Sequence, residues 1–389
     1  MKNSKDIKIG FVTIDSPRDR RSWSGINYMV LTHLETHFEN IDVFGPLKDF
    51  YLKKLLSVFN KISLLLFRKR YNYGHSVLLA YLYSYQLNRI IKRRKNDYEV
   101  IISVISSPAL AFLKTSAKII YLTDATFLSL VDYYVFDLWK FSIRESNHVE
   151  KCAIKKCNHI IFSSEWALNE SVINYDIDRK RTSIAKFGSN VNIVFDRPIE
   201  REVGRDKVFN LLFVGVDWNR KGGDILLRSY LSLKEKGYDN LCLTICGTIP
   251  PCELDSNIKI YPFLDKNKEV DLKTIQSLYQ NSHLFILPTR AECSAIVYAE
   301  AAAFSLPVIT TETGGVCSYV ENLYNGYTLP LEADYIAYES AIVKLMTDQV
   351  LYDTFSRNAY KKFRAELNWG RYFTAIDDVI EQVRTGSVR

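Results

Sequence analysis

"LPTRAECSAIVYAEAAAFSLPVITTETGG", residues 287–315, reads as one strand–helix–strand unit. "LFILP" at 284–288 is apolar enough to be a buried strand. "SAIVYAEAAAF" at 294–304 combines helix-forming alanines with apolar residues at helical spacing, and "PVITT" at 307–311 starts a second strand. Two strands joined through a helix are parallel neighbours in a sheet covered by helices.

Working outward, the same alternation fills the chain. Strands are expected at 7–15, 41–44, 100–104, 119–123, 160–163 and 183–187, and again at 211–215, 241–246, 258–261, 284–287 and 308–310. Two such series in 389 residues predict two doubly wound, Rossmann-like α/β domains, which bind ligands at the C-terminal ends of their strands. The polar segment "NVNIVFDRPIEREVGRDKVFN" separates them. The expected division is 1–190, 191–368 and a last segment, 369–389, whose helix "WGRYFTAIDDVIEQV" crosses back to the first domain.

The opening stretch also holds Glu292 at the mouth of its helix and Glu300 about two turns inside. If the segment is helical throughout, the carboxylates stand roughly 12 Å apart along the axis. Glycosidase pairs need ~5–5.5 Å or ~6.5–9.5 Å. The spacing instead suits an elongated ligand with hydroxyls at both ends. Free N–H groups near Cys293, Ser294 and Ala295 favour an anion between them, and Thr313, Gly314 and Gly315 allow close backbone approach for another. The domain also opens with "FVGVDWNRKGG", a strand ending at Gly215 followed by Arg220 and Lys221 in a turn. These two cations either neutralise a diphosphate or are solvated loop residues.

Composition narrows the rest. With 47% apolar and 24% charged residues the chain reads as globular, and no apolar run approaches ~20 residues. The N-terminus passes from a polar lead into a strand-like run without a signal-peptide pattern, which predicts a cytoplasmic protein. Seven cysteines without paired spacing argue against disulfides or structural zinc. "DID" at 176–178 has metal-motif spacing but sits in an expected loop, so no metal is predicted.

The net charge of +7 is concentrated. Between Phe50 and Asn96 there is no Asp or Glu, while Lys and Arg recur throughout. Within 52–70, Leu52, Leu55, Leu56, Phe59, Ile62 and Leu66 fall on one side of a helix, opposite Lys53, Lys54, Ser57, Asn60, Lys61 and Arg68. Such a helix either packs its apolar side on the first sheet or lies on an anionic membrane surface. The continued absence of acid favours the membrane. No nucleic-acid-binding fold accompanies the charge.

"FVGVDWNRKGG" and "PTRAECSAIVYAEAAAFSLPVITTETGG" together resemble the family 4 (GT4) retaining glycosyltransferases of glycosyl transferases group 1, with their GT-B fold and E-x7-E motif. "SWSG", "YLTDATF", "FSSEWALNES" and "KFGSN" extend the likeness more loosely into the first domain. The resemblance implies transfer of a sugar from a nucleotide-diphosphate sugar to a glycan or lipid-linked acceptor, with retention and without a metal or other cofactor. It implies Glu292 on donor-sugar hydroxyls, Glu300 on the ribose, Arg220 and Lys221 on the diphosphate, Thr313 to Gly315 on the sugar or phosphates, and backbone near Phe263 and Leu264 beside the base. Gly25 lets the N-terminal domain close on the phosphates. Two positions depart from the pattern. Val216 stands where many members have Arg, so Arg220 is the substitute. Asp124 stands where many have His, and it either serves the reacting centre or caps a helix. A GT-B sugar-nucleotide epimerase and a non-catalytic sugar-nucleotide-binding subunit are alternative readings of the same residues.

Overall fold

The computed structural model describes residues 7–94, 97–191, 195–251 and 257–386, so Lys95, Asn96 and Cys252 lie outside the described residues. The chain divides into two compact units, 1–185 with 373–389, and 186–372.

The first unit contains a sheet of β1 (Lys8–Val12), β2 (Asn40–Phe44), β3 (Val100–Val104), β4 (Lys118–Thr123), β5 (His159–Phe162) and β6 (Thr182–Ile184). Its order is β2-β1-β3-β4-β5-β6, with every pairing parallel. β3 and β5 are buried along their whole length, which is why they read as apolar runs, interrupted only by Ser103 and His159, rather than as alternating ones. Leu79, Leu87 and Ile91 from helix Val77–Arg93 and Ala153 and Ile154 from helix Lys140–Lys156 belong to the core of this sheet. The chain leaves β1 toward β2 and then crosses to β3, so strand order reverses between β1 and β3.

The second unit repeats the plan with β7 (Phe209–Val214), β8 (Leu241–Cys246), β9 (Ile258–Tyr261), β10 (Leu284–Leu287), β11 (Val308–Thr311) and β12 (Gly326–Leu329). The order β12-β11-β10-β7-β8-β9 is that of a dinucleotide-binding domain, and its reversal lies between β7 and β10. β12 is an edge strand that the sequence reading does not contain. Its first residue, Gly326, passes so close to β11 that an added Cβ would meet the Val308 carbonyl oxygen at 2.1 Å.

Residues 186–190 belong to the second unit, a few residues earlier than expected. The Phe187 N–H donates to the Tyr319 hydroxyl at 3.0 Å, and the Trp369 indole donates to Asn190 Oδ1 at 3.1 Å. Helix Trp369–Thr385 begins in the second unit and belongs to the first from Phe373 onward. There Ile376, Val379 and Ile380 are buried at helical spacing. Phe373 stacks on His33 at 4.0 Å between ring centres, and Asp377 Oδ1 lies 3.0 Å from His33 Nε2.

Helix Leu52–Phe67 packs on the first sheet through only part of its apolar side. Only Leu52 and Leu56, in its first half, pack against the first core. Its one fully buried side chain is Ser63, whose hydroxyl donates to the Lys69 carbonyl at 2.8 Å and accepts the Trp139 indole N–H at 2.7 Å. Asn60 Oδ1 accepts the Tyr71 N–H at 2.7 Å. The inward side of the second half is therefore polar. Its apolar side chains are exposed.

Candidate active site

The reversal between β7 and β10 leaves the loops after these strands side by side, and the candidate residues of both loops meet there. Gly222 has φ of +70°, and an added Cβ would stand 1.9 Å from the Pro288 carbonyl oxygen, so the first loop presses directly on the second. Asp217 builds the turn before it. Its carbonyl accepts the Lys221 N–H at 2.9 Å and its carboxylate accepts the Arg220 N–H at 3.0 Å.

Across this contact Lys221 Nζ donates to Glu292 Oε2, with both residues buried. Arg220 Nη1 donates to the Ala291 carbonyl at 3.0 Å and stands 3.6 Å from the same Glu292 oxygen. Arg220 Nε also lies 3.5 Å from Asp217 Oδ2, so two cations and two carboxylates share this contact, and an anion placed here would compete with the carboxylates for the same donors. Arg290 locks the second loop to the helix Gly223–Glu235 through a two-pronged pair with Asp224 at 2.8 and 2.7 Å, and that guanidinium holds the Asp224 carboxyl below its usual range.

The segment between the two glutamates differs from its expectation. The helix is Ile296–Ala303, preceded by Ala295 in extended conformation, so Cys293, Ser294 and Ala295 lie outside it. Glu300 is its fifth residue, and the straight helical ruler from Glu292 does not apply. The cause is where the carbonyls go. Those of Ala291 and Glu292 accept from Arg220 and from the Gly315 N–H, the latter at 2.9 Å, instead of starting a helical ladder. The second of these bonds also brings Thr313, Gly314 and Gly315 against Glu292. Ser294 Oγ donates to the Cys293 carbonyl at 2.6 Å.

Glu300 is wholly buried, and both of its oxygens are taken. Lys266 Nζ donates to Oε1 at 2.5 Å and the Tyr279 hydroxyl donates to Oε2 at 2.9 Å. Burial, with the Glu300 charge beside it, raises the Tyr279 phenol well above its ordinary range. Lys266 follows β9 in the loop that also carries Phe263, exposed, and Leu264, packed on the second core. The sequence reading named Phe263 and Leu264 but passed over Lys266 and Tyr279. At the end of β8, burial raises the Cys246 thiol to about 12, and its carbonyl accepts the Gly215 N–H at 2.9 Å.

In the first unit the loop after β1 runs through left-handed backbone at Trp23 (φ 44°), Ser24 (φ 55°) and Gly25 (φ 89°). Two consecutive non-glycine residues in that region store strain of the kind found at functional sites. The Trp23 indole N–H donates to Asp124 Oδ2 at 3.3 Å, so this loop and the end of β4 are tied together. The N-cap of helix Phe127–Leu130 is Thr126, whose N–H donates to Ser129 Oγ at 3.2 Å. Asp176 ends helix Glu165–Tyr175 in left-handed conformation, and Asp178 caps the next turn by accepting the Lys180 N–H at 3.0 Å. Among the described residues no group of three His, Cys, Asp or Glu side chains stands together to hold a metal.

Two Rossmann-like parallel-sheet domains of this order define the GT-B fold. Residues 196–362, most of the second unit, match the family described as Glycosyl transferases group 1. The capsular polysaccharide biosynthesis glycosyltransferase CapM of Staphylococcus aureus is 30% identical over 240 residues, 57% of this chain and 62% of the relative. The uncharacterized glycosyltransferase MJ1607 of Methanocaldococcus jannaschii is 25% identical over 189 residues, 46% of this chain and 47% of the relative. The chain thus spans between about half and three-fifths of these two relatives. Among solved structures, sucrose-phosphate synthase from Thermosynechococcus elongatus has a TM-score of 0.68 at 14% identity, covering 98% of this chain and 100% of that one. Anabaena HepE in complex with UDP and glucose has a TM-score of 0.62 at 15% identity, covering 96% and 99%.

Proposed function

We propose that this protein is a retaining glycosyltransferase of the GT4 type. It moves a sugar from a UDP- or GDP-sugar to a glycan or lipid-linked acceptor in the making of a surface polysaccharide or glycolipid. The observation that carries this reading is the buried Lys221–Glu292 pair with Arg220 beside it, at the strand-order reversal of the second sheet. Such a cluster holds a diphosphate through its cations and offers a carboxylate to sugar hydroxyls. The Thr313 to Gly315 backbone lies against Glu292, and Glu300 stands at the buried end toward β9, where it serves the ribose. The match to Glycosyl transferases group 1 and the likeness to CapM support the reading.

In the proposed reaction the acceptor hydroxyl attacks from the face the diphosphate leaves, and the departing phosphate takes its proton. Charge grows on the diphosphate as the glycosidic bond breaks, and Lys221 and Arg220 stabilise it there. No protein nucleophile and no metal take part. Asp124, held by Trp23, positions the acceptor or steadies positive charge on the donor sugar. The partners are the nucleotide sugar, the acceptor and an anionic membrane surface met by residues 52–70. The setting is cytoplasmic, at the inner face of a membrane, and among the described residues no helix is long and apolar enough to cross one.

The test is thermal unfolding of the wild type and Glu300→Ala with UDP, GDP, ADP and their sugars. Saturation at about a hundred times Kd adds about 2.7 kcal/mol. A shift confined to one nucleotide series, and lost in the variant, supports the reading. No shift with any of them overturns it.

A further inference from the structure

We infer that helix Leu52–Phe67, whose second half is fastened inward by the polar side chains of Asn60 and Ser63, presents its outward face as a docking surface for an anionic lipid leaflet. The geometry goes beyond the sequence pattern. Ser63 and Asn60 fasten the second half of the helix by hydrogen bonds to Lys69, Trp139 and Tyr71, so no leucine is needed to hold it down. Leu55, Ile62, Leu65 and Leu66 are left 66%, 50%, 82% and 66% exposed. At about 100° per residue these four lie on one side, and Lys54 and Lys61 border the same side.

A second helix, Val77–Arg93, repeats the combination along one line. Leu78, Tyr81 and Tyr85 are exposed at its first half, and Arg89 and Lys92 continue the same face. Apolar and tyrosine side chains among cations, with no acid between Phe50 and Asn96, fit a surface that is apolar at its boundary and negative above it. A second copy of this chain would bring like charge against like charge, and an acidic protein would leave the exposed leucines without a purpose. The lipid surface satisfies both features.

The inference names the residues of the membrane partner and does not depend on the donor reading. A chain that bound vesicles while ignoring every sugar nucleotide would keep it.

The experiment is co-sedimentation of the full chain with phosphatidylcholine vesicles, with and without phosphatidylglycerol, at low and high salt. The expected result is binding to the anionic vesicles at low salt, partly released at high salt. The Leu65→Glu/Leu66→Glu variant loses at least tenfold in partitioning. Lys54→Ser/Lys61→Ser loses on the order of thirtyfold, taking about 1 kcal/mol per cation. Both variants keep the wild-type thermal midpoint, because all four side chains are exposed. Absence of wild-type binding, or wild-type binding by Leu65→Glu/Leu66→Glu, overturns the inference. A vesicle-independent dimer that the same variant dissolves also overturns it, giving the face to a second copy.

Discussion

Lys266 and Glu300 form an ion pair inside the second unit, and with Tyr279 on the other oxygen each oxygen of the Glu300 carboxylate already accepts one hydrogen bond. A ribose that uses Glu300 must therefore share with Lys266 or displace it. Lys266→Ala removes the competitor and leaves a buried carboxylate with one donor. The expected outcome is a lower thermal midpoint without ligand and a larger upward shift on adding the cognate nucleotide. A shift equal to or smaller than that of the wild type would mean that the lysine stays in place or itself holds the ligand.

The Lys221–Glu292 pair makes a sharper energetic prediction. Lys221→Ala takes the nearest cation from a buried carboxylate, at a cost of about 3 kcal/mol in stability, and it removes a cation from the diphosphate. The double variant Lys221→Ala/Glu292→Ala should regain part of that stability while regaining no turnover. Urea unfolding gives the first quantity and sugar-transfer assays the second. Additive losses of stability would show that the two side chains are not coupled.

The sequence carried best the strands whose apolar residues stand out from polar flanks. β3, β8, β9 and β10 coincide with the runs read for them, β3 and β10 as wholly buried strands and β8 and the edge strand β9 as partly buried ones. β12 escaped because its four residues begin with a glycine that a close backbone requires, and the run has no apolar signature. Within the site, Glu292, Lys221 and Arg220 were legible as a motif. The irregular backbone from Cys293 to Ala295 was not, since alanine-rich sequence reads as helix until the carbonyls are seen to bond elsewhere. Lys266 lies 34 residues from Glu300, and an ion pair between a loop and a distant helix leaves no periodic trace in a sequence.

Asp124 and the second unit can be separated by experiment. Asp124→Asn keeps an acceptor oxygen for the Trp23 indole but removes the charge. Turnover should fall by about a hundredfold or more if that charge serves the reacting centre. The nucleotide-induced thermal shift should be largely unchanged, because every candidate nucleotide residue except Gly25 lies in the other unit. Loss of the shift together with turnover would indicate that Asp124 acts through folding or donor binding instead.

Stability against pH should expose Glu150, the buried carboxyl of helix Lys140–Lys156. Its Oε2 accepts the Ser107 hydroxyl at 2.6 Å and lies 3.7 Å from His75 Nε2, while Oε1 is buried without a protein donor. Burial raises this carboxyl from 4.5 to about 7, and burial lowers His75 to about 4. The two act in opposite directions. The folded state keeps a proton on Glu150 that the unfolded chain releases above pH 4.5. This contribution is present in full below that value and is lost as pH rises through about 7. His75 refuses a proton that the unfolded chain takes up below pH 6.5, so its effect is to lower stability as pH falls from there toward 4. In wild type the slopes largely cancel between these limits. Glu150→Gln removes one of them. Its stability relative to wild type should therefore increase as pH rises from 4.5 to 7, by up to about 3 kcal/mol. Chemical denaturation of both proteins at several pH values reads this difference directly. A difference that stays flat across the range would show that Glu150 ionises in the fold as readily as in the unfolded chain.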